Sequence, residues 1–139
     1  MSSGQPTYTG QCLCGAVRYR VTGPLDDPHA CHCGMCRRQS GHFVAGVGAK
    51  RADFSVTGDE KLTWYDSSPF ARRGFCSACG SILFWDDRSE RIGISMGSLD
   101  QPTGLKLARH IFVEDKADYY EIHDDLPKFV GLDTPVDAD

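Results

Sequence analysis

Residues 10–21 read GQCLCGAVRYRV and combine a pair of cysteines with the pattern of a β-strand. Apolar and basic side chains alternate along the second half of this stretch, as they do on the two faces of a half-buried strand. The apolar face consists of Val17, Tyr19 and Val21. Cys12 and Cys14 are two positions apart, so an extended chain would present both thiols on one face. The stretch therefore predicts a strand over residues 14–21, with two candidate metal ligands at and just before its start.

A second cysteine pair lies in the segment Cys76-Ser77-Ala78-Cys79-Gly80, which has the form of a zinc knuckle. In such a tight turn both thiolates reach one metal, and the glycine supplies a backbone angle that other residues resist. A knuckle provides only two ligands, whereas a structural zinc is tetrahedral and takes four. Cys12 and Cys14 can supply the missing pair. The sequence therefore predicts a closed zinc site formed by Cys12, Cys14, Cys76 and Cys79.

The remaining cysteines, Cys31, Cys33 and Cys36, form a third group within six residues. A zinc site with three protein ligands keeps one position for water or a substrate, whereas a four-ligand site is closed and structural. His32 lies between two of these cysteines, but on an extended chain its ring points away from them, and we expect it outside the ligand set. We therefore expect the function of the protein at this second cluster.

Short apolar and β-branched runs, separated by Gly, Pro, Asp and Ser clusters, predict several further strands. These are residues 43–47, 61–65, 73–76, 82–85, 92–96 and 105–112. Helix is expected only as one turn after Gly34 and as a short piece over residues 51–54. The pattern indicates a mainly β fold of antiparallel sheets stapled by zinc. Residues 131–139 are polar and are expected to fray.

The length of 139 residues predicts one domain over residues 1–139, with its core over residues 8–131. The formal net charge of −4 disfavours nucleic acid or an anionic membrane as a partner. The chain has no apolar run of membrane-spanning length and no signal-peptide pattern at its start. Together with the odd number of seven cysteines, this predicts reduced thiols and a cytoplasmic location. The sequence leaves the oligomeric state open.

Three thiolates give a zinc site a net negative charge, which makes the metal a weaker Lewis acid toward water than zinc on imidazoles. Such a site is better suited to a substrate thiol as its fourth sulfur ligand, and this favours chemistry at a carbon–sulfur bond. Arg37, followed by Arg38, comes directly after the last thiolate and could bind a carboxylate of such a substrate. Arg37 is therefore a candidate for binding the thiol substrate. Arg37 and Arg38 could equally brace the sheet.

The three cysteine motifs, in this order, resemble the glutathione-dependent formaldehyde-activating (GFA) family. The matching segments are Gly10-x-Cys12-x-Cys14-Gly15-Ala16-Val17, Cys31-His32-Cys33-x-x-Cys36-Arg37, Gly74-Phe75-Cys76-x-x-Cys79-Gly80-Ser81-x-Leu83-Phe84, His110-Ile111-Phe112 and Leu126-Pro127-x-Phe129. The resemblance implies a β-tent-like fold with two zinc ions. One is a structural zinc at Cys12, Cys14, Cys76 and Cys79, and the other is a catalytic zinc at Cys31, Cys33 and Cys36. The implied activity is the reversible joining of glutathione and formaldehyde to S-hydroxymethylglutathione, a carbon–sulfur lyase reaction in reverse.

Other interpretations of the cysteines remain open. The zinc ions could only staple a module that binds a protein partner, which would make the chain non-catalytic. A dithiol redox role for Cys33 and Cys36 is disfavoured because no βαβ pattern surrounds them. A nucleic-acid-binding zinc ribbon is disfavoured by the acidic charge.

Several polar and aromatic residues invite functional roles that we do not favour. His42 could shuttle protons, but a single histidine before an apolar run more often ends a strand. The residues interpreted as structural are His29, His42, His110 and His123. The aromatics interpreted as core are Trp64, Tyr65, Phe84 and Trp85. The acidic pairs Asp86-Asp87 and Asp124-Asp125 are interpreted as turns. Arg72 and Arg73 are weaker candidates than Arg37 for contact with a ligand.

Overall fold

The structure is a computed structural model that describes residues 5–132 of the chain. Most of the tail that was expected to fray, residues 133–139, lies outside the described residues. Within the described residues the chain divides into two compact units. The first comprises residues 5–26 and 47–104, and the second comprises residues 27–46 and 105–132. Each cysteine cluster lies within one unit, so the two clusters can be considered separately.

The regular elements are mainly short strands. In chain order they are β1 (Thr7–Gln11), β2 (Arg18–Thr22), β3 (His29–Cys31), α1 (Gly34–Ser40), β4 (Val44–Lys50), β5 (Phe54–Thr57), β6 (Leu62–Asp66), β7 (Arg72–Cys76), β8 (Ile82–Asp86), β9 (Arg91–Ser95) and β10 (Arg109–Ile111). Single turns of 3-10 helix cover Arg51–Asp53, Asp59–Lys61, Met96–Ser98 and Val113–Asp115. No helix among residues 5–132 is long and apolar enough to cross a membrane.

The first unit is built from antiparallel strands. Strands β1, β2 and β5 form one sheet in this order, and β6, β7, β8 and β9 follow one another in a second. Apolar side chains of both sheets form the core of the unit. Its buried members are Cys12, Val17, Tyr19, Val21, Val47, Ala49, Cys76, Leu83, Phe84, Ile92, Ile94 and Leu99. Burying a side chain such as Leu83 or Ile94 stabilises the fold by about 2 kcal/mol.

Tyr19 shows how closely the two sheets pack in this unit. Its ring meets Phe84 edge-on at 5.3 Å between centroids, and its hydroxyl hydrogen-bonds Ser98 at 2.6 Å. Burial raises the pKa of this hydroxyl above its ordinary value. A Cβ at Gly10 would lie 2.3 Å from the Tyr19 ring, so only glycine lets β1 approach this side chain. Gly10 is thus required by packing.

The second unit contains a parallel strand pair. Strand β10 pairs with β3 in parallel, and β3 pairs with residues 44–46 of β4 in antiparallel orientation. The strand pairs of the described residues are antiparallel as expected, and the pair of β10 with β3 is the exception. Cys31, Cys36 and Ile111 form its buried apolar cluster, with Cys33, Val44, Phe112 and Phe129 packed against it. The candidate metal ligands are thus part of this cluster.

Each of the predicted strands over residues 43–47, 61–65, 73–76, 82–85 and 92–96 is confirmed, and no end differs by more than three residues. Strand β10 is much shorter than the predicted 105–112, and β1, β3 and β5 were not predicted. The expected helical turn after Gly34 is helix α1, and the short piece expected over residues 51–54 is a 3-10 turn over Arg51–Asp53 that leads into β5. The mainly β fold is therefore confirmed.

The interpretation of four aromatics as core residues is correct for Trp64 and Phe84, which belong to or pack on the core. It is wrong for Tyr65 and Trp85, whose side chains are 64% and 44% exposed. Successive strand residues face opposite ways, so only one member of each adjacent pair can point inward.

Candidate metal centres

The structure brings Cys12, Cys14, Cys76 and Cys79 together, with all four sulfur atoms within 4.8 Å of one another. The Sγ atoms of Cys12 and Cys14 are 3.6 Å apart, and those of Cys14 and Cys76 are 3.8 Å apart. Four sulfurs at about 2.3 Å from a tetrahedral zinc lie about 3.8 Å from each other. The donor set and its spacing therefore fit zinc without rearrangement of the loops.

Two glycines shape the turns that aim these thiols. Gly15 follows the first cysteine pair and Gly80 follows the second, and both have φ of 79° in the left-handed region. The amide of Gly15 donates to the carbonyl of Cys12 at 3.2 Å, and that of Gly80 donates to Cys76 at 2.7 Å. Each pair thus sits in a hydrogen-bonded turn that a glycine closes. The prediction that Gly80 provides a special backbone angle is confirmed.

Hydrogen bonds stabilise some thiolates of the closed cluster, whereas the crowding of the sulfurs opposes the ionisation of Cys14. The amide of Val17 donates to the Sγ of Cys12 at 3.3 Å. Cys79 lies 3.2 Å from the Ser81 hydroxyl, and hydrogen bonds from the side chain and backbone of Ser81 lower the pKa of Cys79 to about 5. The amide of Ala16 lowers the pKa of Cys14, but Cys12 and burial outweigh it and raise this pKa to about 11. Thiolates packed this closely repel one another unless a cation neutralises them, as zinc would.

The second cluster consists of Cys31, Cys33 and Cys36, whose sulfur atoms also lie within 4.8 Å of one another. Cys31 ends β3, Cys33 caps the N-terminus of α1, and Cys36 lies in the first turn of the helix. The amide of Cys36 donates to the Sγ of Cys33 at 3.3 Å, and the amide of Arg37 donates to its carbonyl at 2.9 Å. The neighbouring thiols and burial raise the pKa of Cys31 above its ordinary value. Among the described residues this group holds three thiols and no fourth ligand atom.

His32 lies between two of these cysteines but does not join their group. Its Nδ1 is 2.5 Å from the Tyr120 hydroxyl, and its Nε2 is 2.9 Å from Nδ1 of His110. Burial, together with the nearby His110, lowers the pKa of His32 to about 4, so the imidazole is neutral. Both ring nitrogens are thus engaged away from the thiols.

The hydrogen bonds continue beyond His32 toward the surface of the unit. The Nε2 of His110 lies 2.9 Å from one carboxylate oxygen of Asp124. The hydrogen bond from His110 is the main reason why the pKa of Asp124 lies below its usual range. A chain of four side chains therefore leads from Tyr120 through His32 and His110 to Asp124. We call it the Tyr120–Asp124 chain.

This chain was not predicted from the sequence. Its members are separated by 88, 78 and 14 positions, so no short motif connects them. The only available signal was a buried histidine between two candidate ligands, since buried polar groups need partners. The interpretation of Asp124 as a simple turn residue missed its bond to His110.

The arginine that follows the last thiolate lies close to this chain. Arg37 is half-buried, whereas Arg38 is exposed. The pKa of the Tyr120 hydroxyl is raised, mainly by burial and by the neighbouring Tyr119. The positive charge of Arg37 lowers this pKa, and the charge of Cys31 raises it. The pKa of the Tyr120 hydroxyl therefore responds to the charges of Cys31, a candidate metal ligand, and of Arg37, the candidate for binding a carboxylate.

The histidine considered as a proton shuttle lies beside the same tyrosine pair. The Nδ1 of His42 is 2.6 Å from the hydroxyl of Tyr119, which is 53% exposed. The His42 ring also packs against the Tyr120 ring at 4.4 Å between centroids. His42 is thus an exposed residue with a tyrosine partner.

Asp86 and Arg72, in the first unit, contact each other. Asp86 is buried and accepts hydrogen bonds from Arg51 at 2.6 Å and from Arg72 at 3.0 Å. Arg72 also lies over the Trp64 ring at 4.0 Å. The backbone amide and the two guanidiniums around Asp86 outweigh the effect of its burial and lower its pKa. These contacts are structural, so Asp86 is more than a turn residue.

Comparison with known proteins connects these clusters to one family. The sequence model described as glutathione-dependent formaldehyde-activating enzyme matches residues 7–115. A Halomonas elongata protein named for that enzyme is 32% identical over 125 residues, which cover 81% of this chain and 79% of the relative. An uncharacterised lyase of Schizosaccharomyces pombe is 36% identical over 83 residues, 58% of each chain. A crystal structure of a Rhodobacter sphaeroides protein matches with a TM-score of 0.56 and 34% identity, over 67% of this chain and 88% of that one. This chain belongs to the glutathione-dependent formaldehyde-activating enzyme family.

Proposed function

We propose that the protein is a zinc-dependent carbon–sulfur lyase that acts on a thiol adduct, with S-hydroxymethylglutathione as the first candidate. The observation that carries the proposal is the difference between the clusters, four thiols in one and three in the other. The family and the lyase name of the Schizosaccharomyces relative support the reaction class. The fit of three thiols to a site that takes a substrate sulfur supports the substrate class.

In this proposal the two clusters have separate roles. Cys12, Cys14, Cys76 and Cys79 would hold a structural zinc that ties two loops of the first unit together. Cys31, Cys33 and Cys36 would hold the catalytic zinc, which when bound supplies an open position for the substrate sulfur.

The reaction breaks the carbon–sulfur bond of R–S–CH2–OH. The sulfur keeps the bonding electron pair and leaves as a thiolate, the hydroxyl loses its proton, and its oxygen forms the carbonyl of formaldehyde. The reverse reaction joins the thiol to formaldehyde. Holding the sulfur as a thiolate at neutral pH lowers the cost of the cleavage, because a free thiol has a pKa near 8.5.

Arg37 is the proposed anchor for a carboxylate of glutathione. It is half-buried next to Cys36, and its guanidinium could form two parallel hydrogen bonds with a carboxylate. The exposed neighbour Arg38 provides a matched comparison because it has the same charge on the same helix.

Cobalt substitution tests the proposal. Cobalt reports its ligands through its visible absorption, so refolding the protein with cobalt counts the sites, and adding glutathione detects ligand exchange. We expect two cobalt ions, with the bands of only one shifted by glutathione. The variant Cys33→Ser should lose the responsive bands and keep the others. If neither set of bands responds to the thiol, the lyase is excluded and a zinc-stapled binding module becomes the better description.

A further inference from the structure

The sheet formed by β1, β2 and β5 has a polar side that the core of the first unit does not use. Alternation along β2 buries Tyr19 and Val21 on one side of the sheet and leaves Arg18 and Arg20 exposed on the other. Pairing between the strands aligns Arg20 with Thr9 and Ser55, and Arg18 with Gln11 and Thr57. These six side chains form two rows of three, each with an arginine at its centre, and we call them the polar face.

A cavity of about 410 Å³ lies along the polar face, and all six of its side chains line this cavity. Every lining residue belongs to the first unit, so the cavity does not depend on how the two units are arranged. A volume of this size is within the range of small-molecule sites. The polar face therefore has room for a small ligand.

The two arginines bring positive charge to this cavity. Neither Arg18 nor Arg20 forms an ion pair with a carboxylate of residues 5–132. Arg18 donates from Nε to the carbonyl of Gly15 at 3.0 Å, which leaves its two terminal nitrogens for a ligand. The acidic side chain on the lining, Asp100, accepts a hydrogen bond from the Thr9 hydroxyl at 2.7 Å. Two guanidiniums whose Cα atoms are about 7 Å apart along one strand are therefore available to an anion.

Neutral members of the polar face add hydrogen-bond donors to the two charges. The side chains of Gln11, Ser55 and Thr57 have no hydrogen-bond partner in the part of the chain that the structure describes. A Cβ built on Gly15 would lie 3.3 Å from a terminal nitrogen of Arg18 and 3.4 Å from Nε2 of Gln11, so these two donor groups are neighbours. A carboxylate presents two oxygens, whereas each phosphate presents three strong acceptors. So many donors beside two arginines suit phosphate better than a single carboxylate.

We propose that the polar face binds a small ligand with two linked phosphate groups, one at Arg18 and one at Arg20, with donors from Gln11, Ser55 and Thr57. The site lies in the unit that contains the closed cluster, and it is independent of the proposed lyase reaction. Tyr19 is the aromatic residue on the lining, and it is only 4% exposed, so the cavity offers no ring on which a base could stack. The diphosphate itself is therefore the recognised group, and the net charge of −4 disfavours a long polyanion in its place.

Isothermal titration calorimetry of the zinc-loaded protein with pyrophosphate, orthophosphate and ADP tests the proposal. We expect one pyrophosphate per chain, bound at least tenfold more tightly than orthophosphate because only pyrophosphate can engage both guanidiniums. ADP should bind within about threefold of pyrophosphate, since the nucleoside adds no contact. No binding of pyrophosphate, or equal binding of orthophosphate, overturns the proposal. ADP binding more than tenfold tighter than pyrophosphate also overturns it, because the nucleoside would then be the recognised group.

NMR locates the ligand, which matters because pyrophosphate can also bind zinc. Proton–nitrogen spectra report on the backbone amides and on the Nε–H groups of arginine, and the zinc content of the protein is measured after the titration. We expect shifts at Arg18, Arg20 and the amides of β1, β2 and β5, with zinc retained. Loss of zinc, or shifts centred on residues 31–36, would place the phosphate on a metal and refute the site.

Two arginine variants provide the matched comparison. Arg20→Gln removes one of the two charges and should weaken pyrophosphate binding about tenfold, the value of one charge-assisted contact. Arg88→Gln changes the net charge by the same amount in the same unit, but its side chain is 57% exposed and pairs with Asp66 at 3.6 Å, so binding should be unchanged. Both side chains are exposed, and far-UV circular dichroism confirms that the variants fold. Equal effects of the two substitutions would show attraction by net charge alone and would overturn the proposal.

Discussion

The two cysteine clusters should contribute unequally to stability, because they close loops of very different length. Cys14 and Cys76 are 62 positions apart in the sequence, yet their sulfurs are 3.8 Å apart. Cys31 and Cys36 are separated by only five positions. A metal at the closed cluster therefore constrains a long segment of the unfolded chain, and one at the open cluster constrains a short turn.

The loop lengths give the magnitude. In the chain-entropy treatment used for disulfides, closing a 62-residue loop is worth about 4 kcal/mol, and closing a five-residue loop about 2 kcal/mol. The second value is an upper bound, because hydrogen bonds from the Arg37 and His32 amides already hold the short turn. Loss of metal from the closed cluster should therefore lower the free energy of unfolding by at least about 2 kcal/mol more than loss of metal from the open cluster.

Two double variants make the comparison. Cys14→Ser with Cys79→Ser removes half of the closed cluster, and because Cys14 is exposed and Cys79 half-buried, the serines leave no buried cavity. Cys33→Ser with Cys36→Ser removes two of the three thiols of the open cluster. Urea unfolding is followed by far-UV circular dichroism, which reports on both units, at a buffered concentration of free zinc. Equal losses of stability in the two variants, or a larger loss at the open cluster, would refute the assignment of structural and functional roles.

Three further substitutions test other parts of the structure. Asp86→Asn should lower the free energy of unfolding at pH 7 by about 2 kcal/mol, because two partly exposed guanidiniums lose a buried carboxylate. The pKa of Asp86 is lowered in the folded protein. Its contribution to the free energy of unfolding is therefore present above the pKa of the unfolded state and is lost as the pH falls through the folded pKa. In acid the variant and the wild type should then have similar stability. In the same urea titrations the exposed neighbour variant Asp87→Asn should change stability much less. Gly80→Ala should cost about 1 kcal/mol in urea unfolding, from backbone strain alone, since no atom lies within 4 Å of the added Cβ. Arg37→Ala should raise the dissociation constant of glutathione about tenfold in the cobalt titration, and Arg38→Ala should leave it unchanged.

The cysteine groups could be predicted from the sequence because metal ligands come in short motifs. Spacing alone predicted Cys12 and Cys14 on one face of an extended chain, and Cys76 and Cys79 in one tight turn. The structure brings these two pairs together, 62 positions apart between Cys14 and Cys76. What joined the pairs in the prediction was the ligand count of zinc, which is a property of the metal and not of the chain.

The missed strands lack the patterns on which sequence reasoning depends. Strand β3 has three residues and pairs in parallel with β10, whose partner residues are 80 positions away, as His29 and Arg109 show. Strand β1 is polar and contains Gly10, and its place beside Tyr19 depends on the absence of a side chain at that glycine. Short or polar strands of this kind are defined by their partners, so local patterns do not reveal them.

In the proposed function the two cysteine clusters have different roles although both offer only thiols. At the closed cluster the fourth ligand is another thiol of the chain, which leaves no position for a substrate. At the open cluster the described residues supply three thiols, and both ring nitrogens of the intervening His32 bond Tyr120 and His110 instead. A zinc at this cluster would therefore take its fourth ligand from outside the described residues, and the proposed function gives this position to a substrate sulfur.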